Sequence, residues 1–347
     1  MNPMIQKAGD DSTNIQADKV TINHGLSYVD VKQIVLDLFH ANFLEMSKEA
    51  AQVAKERAEE ITDAFLAALK KNNPEGLNCA QDPDFQFALF EVQKEYAKTG
   101  DKELGDLLVD LLVDRTKQPK RSILQIVLNE SILVAPKLTA GQIDALSIVF
   151  LLKKTKMNGI NNTLLFKKYL DDYFMPFSST ISKNDSCYQH LEYAGCGSVS
   201  IMSYNIIELF KNGYGGILSK GFELSVLADS GIDLLHFPQL VIKCLHNMQN
   251  FQINALALDD LNSTLKRLNI DANMAEKVRD LYKNSLMSNE EIKNFIISIC
   301  GYMNNIFDVW ENSKLQHFEL TSVGIAIGHA NLKKRISEFT DLSIWIN

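Results

Sequence analysis

Proline is scarce. Seven prolines in 347 residues leave little to interrupt a helix, and they argue against a fold of many short strands. Cysteine is sparse as well. The five residues Cys79, Cys187, Cys196, Cys244 and Cys300 are scattered and odd in number, which argues against a disulfide framework. The longest strongly apolar run, residues 145–152, is eight residues long, far short of the ~20 needed to cross a bilayer, so no membrane partner is expected. The first eleven residues lack a cationic stretch followed by an apolar one, so no secretory leader is expected and the expected compartment is the cytoplasm. Positive charge is in deficit, with 35 Lys and Arg against 43 Asp and Glu, a net −8. That argues against a broad electrostatic surface for nucleic acid or anionic lipid. The chain also has no G-x-S-x-G, no G-x-x-x-x-G-K-[ST] and no G-x-G-x-x-G after a strand.

What is present reads as globular: 46% of residues are hydrophobic and 22% charged. The length corresponds to about two domains. Residues 1–26 are polar, with isolated apolar positions at Ile15, Val20 and Ile22, and the alternation across 20–23 reads as a strand. So short a β segment buries too little to fold alone. It predicts assembly with copies of itself. Residues 28–72 contain no Gly or Pro. Their apolar seam, including Ala54 and Ala58, predicts either one helix of over forty residues or two helices bent near Met46 and Ser47. Small residues on that seam allow close approach by another subunit, or else an ordinary helix pair within the chain.

Residues 74–157 carry four helical periods, at 82–98, 101–116, 122–135 and 139–157, joined by short connections, which predicts an antiparallel bundle. The turn at 158–162 is the expected domain boundary. Residues 158–347 predict a mostly helical domain with short strands, including one at 315–320, a helix from Thr321 to Arg335 and a closing strand at 342–346. The expected fold class is therefore mainly α: a short β segment and long helix, a helical bundle, then a mostly helical α+β domain.

Three constellations carry candidate chemistry. Asp106, Asp110 and Asp114 fall in one row of a helix, suited to a divalent cation or to the polar edge of a buried helix. Cys187, His190 and Cys196 are zinc-ligand types, with Cys244, His246 or His236 as candidates to complete the set. Cys196-Gly-Ser198 also has a thiol beside small residues, but no histidine is placed beside it as a base. Lys333, Lys334 and Arg335 end a helix that follows a strand, as in winged-helix DNA-binding modules, and cations there also suit the helix C-terminus. Asp84, Glu91 and Lys94 lack the spacing and the strand of a nuclease site, and the glycine-rich 213–221 lacks a phosphate-loop order.

Several segments resemble an uncharacterised bacterial protein family. They are Asp11-Ser-Thr-Asn-Ile-Gln-Ala17, Val20-Thr-Ile-Asn23, Gly25-Leu-Ser-Tyr28, residues 50–60, 104–115, and the 342–346 ending. The N-terminal motif is the most distinctive, and the resemblance spans nearly the whole chain. It implies a role linked to phage defence and carries no catalytic motif to transfer. The expected function is a non-enzymatic, homo-oligomeric interaction protein, a sensor or scaffold in antiviral defence. Its expected partners are itself and other defence proteins or a phage component, with no cofactor. The alternatives are a zinc-dependent hydrolase or effector using Cys187, His190 and Cys196, and a winged-helix-like DNA binder using Lys333, Lys334 and Arg335.

Overall fold

The computed structural model describes residues 27–42, 48–118, 120–336 and 339–346. Ile15, Val20 and Ile22 lie outside the described residues. The chain begins with α1 (Tyr28–Asn42), started by a full capping box. The Ser27 backbone N–H donates to the Asp30 carboxylate at 2.9 Å, and the Asp30 N–H returns a bond to the Ser27 hydroxyl at 3.2 Å. Next comes α2 (Lys48–Asn72). Lys32 near the start of α1 pairs with Asp63 late in α2, while Phe39 at the end of α1 packs with Ala54 and Ala58 early in α2. The two helices therefore run antiparallel as a hairpin, not as one stalk.

A short 3₁₀ stretch (Pro74–Gln81) leads into α3 (Pro83–Thr99), α4 (Lys102–Thr116), α5 (Ile123–Val134) and α6 (Ala140–Lys154). Pro83 sits at the first helical position of α3, and Gly100 ends it with φ 64°, a left-handed cap that suits glycine. Thr139 and Gln142 form the capping box that starts α6. Then follow α7 (Thr163–Tyr173), α8 (Asp185–Tyr193), β1 (Gly197–Val199), α9 (Ile206–Tyr214), α10 (Leu224–Asp229), β2 (Val241–Lys243), β3 (Phe251–Ile253), α11 (Leu258–Arg267) and α12 (Ala272–Asn284). The chain continues with α13 (Asn289–Ile299), α14 (Met303–Glu311), β4 (Phe318–Leu320) and α15 (Ser322–Arg335). Among the described residues it is mainly helical with two small sheets. β1 pairs antiparallel with β4, Gly197 opposite Leu320, and β2 pairs antiparallel with β3, Val241 opposite Ile253.

The last helix is the centre of the molecule. α15 packs against α6, α4 and α5, and every residue from Gly324 to Leu332 is buried. It approaches its neighbours closely because Gly324 and Gly328 have no side chain. A Cβ at Gly324 would stand 1.9 Å from the Cys196 carbonyl oxygen, and one at Gly328 would stand 3.0 Å from that of Leu146. One continuous core runs from Val31 to Ile346, crossing the boundary expected at residue 157. The second core lies elsewhere, within the stretch from Phe222 to Leu286, where β2, β3, α10, α11 and α12 pack on one another. This subdomain leaves and re-enters the body at adjacent points, since Ser219 bridges Leu286 and the Met287 N–H donates to the Leu218 carbonyl at 2.9 Å.

Two further expectations are corrected. Residues 342–346 form no strand: Leu342–Ile344 is a 3₁₀ turn whose start is capped by Asp341. The expected strand at 315–320 is half 3₁₀ helix (Lys314–His317) and half β4.

Candidate functional site

Among the described residues the zinc candidates do not form a metal-binding group. His190 Nδ1 lies 3.0 Å from the Gln142 amide nitrogen, and the Cys187 carbonyl accepts from the same amide at 2.9 Å. The His190 ring stacks against Tyr193. Cys196 is fully buried, and burial pushes its thiol pKa up to about 12, the opposite of an activated nucleophile. His236 is held by Asp233, and His246 packs edge-on to Phe295. Among the described residues no group of three or more His, Cys, Asp or Glu is placed to hold a metal.

The cationic helix end is neutralised inside the chain. Lys333 pairs with Asp114 at 2.8 Å, Lys334 pairs with Glu103, and Arg335 reaches the same Glu103 at 3.7 Å. The helix that bears them is the buried centre of the fold, so it cannot enter a DNA groove as a winged-helix reading requires. The Asp106, Asp110 and Asp114 row is likewise a structural edge. Asp114 bridges Lys117 and Lys333, and burial raises the Asp110 carboxyl pKa to about 6. Ala54 and Ala58 are 4% and 0% exposed, already covered by Phe39, Phe90 and Ala97 of the same chain. The seam expected to receive another subunit is filled by α1 and α3.

The exposed apolar surface lies on α3 and α5 instead. Its base is Arg115 of α4, whose side chain is wholly buried. Arg115 Nη2 donates to Asp82 at 3.2 Å and to Asp84 at 2.5 Å, and its Nε donates to the Asn129 side-chain oxygen at 3.3 Å. The Asn129 amide returns a 3.0 Å bond to Asp84. Asp82 also caps α3 by accepting the Asp84 N–H at 3.2 Å. Arg115 thus locks the start of α3 to the middle of α5, and its guanidinium holds the Asp84 carboxyl below the usual carboxylate range. A polar cleft of about 460 Å³ opens here, lined by Asp82, Asp84, Arg121, Gln125, Asn129 and Glu130.

Beside the cleft the helices show apolar side chains to solvent. Ile123, Ile126 and Leu133 of α5 are 60%, 42% and 42% exposed, and Phe87, one turn beyond Asp84 on α3, is 72% exposed. With Glu130, the α5 positions fall at i, i+3, i+7 and i+10, the spacing of a helix–helix seam. Both carboxylates are tied to the Arg115 guanidinium, which makes them part of the joint between α3 and α5. A rigid helix with a seam-spaced apolar stripe is suited to packing against another helix. The readable signal is that α5 is apolar on both faces: Leu124, Val127, Leu128 and Ile132 fill the core, so Ile123, Ile126 and Leu133 must face outward.

Among the described residues no helix is long and apolar enough to cross a membrane. No curated protein and no solved structure matches the chain. The model of an uncharacterised protein family matches residues 25–346, and the chain belongs to that family.

Proposed function

We propose that the protein is a non-enzymatic, homo-oligomeric interaction protein that self-associates through the α3–α5 face. The observation that carries this is the solvent-exposed stripe Ile123, Ile126 and Leu133 with Phe87 alongside. A stripe of this spacing complements itself: where α5 meets its own copy antiparallel, Ile123 faces Leu133. Full burial of such side chains is worth about 1.5–3 kcal/mol each. Charges of both signs, Arg121 with Asp84 and Glu130, line the adjoining cleft, so two copies meet without a single-sign repulsion. The N-terminal resemblance supports a sensor or scaffold role in bacterial antiviral defence, in the cytoplasm, with other defence proteins or a phage component as further partners.

Light scattering on the full chain tests the reading. Wild type is expected at a multiple of the monomer mass and Ile126→Glu at the monomer mass, with unchanged circular dichroism. A monomeric wild type, or an assembly unaffected by Ile126→Glu, refutes self-association through this face. Deleting residues 1–26 separates any contribution of that segment. Plaque counts on bacteria expressing each form test the defence role, and equal counts with and without the protein refute it.

A further inference from the structure

A second cleft, of about 620 Å³, opens between the end of α6, the turn into α7, α7 itself and the segment after α15. That volume lies in the range of small-ligand sites. Its walls are aromatic, with Tyr169 and Tyr173 from α7 and Phe339 and Trp345 from beyond α15. The Phe339 and Trp345 rings stack within 14° of parallel, with centroids 6.1 Å apart, and form an aromatic wall against which a further flat ring can pack. Tyr173 flanks Phe339 at 6.4 Å.

Among the described residues the Lys154 ammonium has no carboxylate partner, and the Tyr173 hydroxyl and the Asn158 amide make no hydrogen bond, although all three line the cleft. Lys156 adds a second cation, shared with Asp260 at 3.0 Å. The platform is held from behind by His329, which is 1% exposed. Its Nε2–H donates to the Thr340 carbonyl at 2.7 Å, and its Nδ1 has no partner among the described residues. Its ring meets Phe339 edge-on at 5.2 Å. Burying a nitrogen without a partner costs stability. What His329 secures in return is the position of the segment carrying Phe339.

We propose that this cleft binds a planar aromatic anion of mononucleotide size, with the ring packed against the wall formed by Phe339 and Trp345 and the anionic group on Lys154. Tyr173 and Asn158 supply directional hydrogen bonds to the ring edge, and His329 is a positioning residue. The site is independent of self-association, since none of these residues lies on the α3–α5 face.

The chain contains two tryptophans. Trp310 is fully buried and Trp345 lines the cleft, so tryptophan emission reports occupancy. The full chain is titrated with adenylate and guanylate, and with adenosine and inorganic phosphate as separate arms. At least one nucleotide is expected to shift the emission saturably below millimolar concentration. Adenosine and phosphate are each expected to bind at least about tenfold more weakly than that nucleotide, a difference of about 1.4 kcal/mol. Lys154→Ala, at an exposed position with no carboxylate partner among the described residues, is expected to keep the wild-type melting temperature and lose about tenfold in affinity. Phe339→Leu is expected to bind more weakly still. No saturable response to either nucleotide at millimolar concentration overturns the proposal. Affinity unchanged in Lys154→Ala, or phosphate binding as tightly as the nucleotide, overturns it equally.

Discussion

Arg115 is the side chain on which the surface of α5 depends. A wholly buried guanidinium is tolerated because Asp82, Asp84, Asn129 and the Gln118 carbonyl all accept from it. Arg115→Met keeps much of the packing but leaves two adjacent carboxylates without their cation. It is expected to lower stability by about 2–3 kcal/mol in urea unfolding, less than a fully buried pair because both carboxylates are partly exposed. Asp110 works in the opposite direction. Burial raises its pKa to about 6 from 3.8, so the folded state holds a proton that the unfolded state releases. Its effect on stability is therefore neutral below pH 3.8 and increasingly unfavourable as pH rises to 6, by at most about 3 kcal/mol. Asp110→Asn is expected to stabilise the protein at pH 7 and to flatten the stability profile between pH 4 and 6. A parallel profile in wild type and variant refutes this.

At the scale of elements, close approach of α15 is the constraint most open to test. Gly324→Ala places a methyl against the Cys196 carbonyl, backbone that cannot rotate away. The expected cost is about 3 kcal/mol, read as a lowered melting temperature. Most helices were legible beforehand. Their caps are local, as at Ser27–Asp30, Thr139–Gln142 and Thr321, and a capping side chain needs only residues two or three positions away. Misread elements have a shared reason. The apolar stretch 289–311 is two helices, α13 and α14, broken at Cys300 and Gly301 where the chain turns and brings the Tyr302 hydroxyl 3.0 Å from Asp171 on α7. Leu342 and Ile346 alternate like a strand but are buried by packing on the main core, and among the described residues no strand pairs with them. The candidate face was harder to see. Apolar periodicity identifies α5 as a helix but does not show which apolar side remains uncovered, because α15, from distant sequence, covers the other together with the neighbouring α4.

For the whole molecule, the division of the chain is an insertion and not two halves. The body is closed by α15 returning to α4, α5 and α6, while residues 220–285 form a separate core entered through a narrow neck. Replacing 220–285 by a short glycine linker is expected to leave a cooperative unfolding transition in the remaining body. Aggregation or a non-cooperative melt of that deletion refutes the independence of the two cores. Cutting at residue 158 is expected to unfold both pieces, because the cut runs through one continuous core.

The amino-acid sequence by itself determined the mainly helical class, most helix starts and stops, and the absence of a long apolar helix among the described residues. Those follow from periodicity, capping and hydropathy, which act over a few residues. Only the tertiary structure decided which apolar faces are covered and which cations are paired. Lys333 finds Asp114, Ala58 meets Phe39, and the Trp345 indole N–H donates to the Lys154 carbonyl at the end of α6. These partners are set by how helices pack, and packing joins residues that no local pattern relates. The same physics left α5 with an outward apolar stripe and Lys154 beside an aromatic cleft.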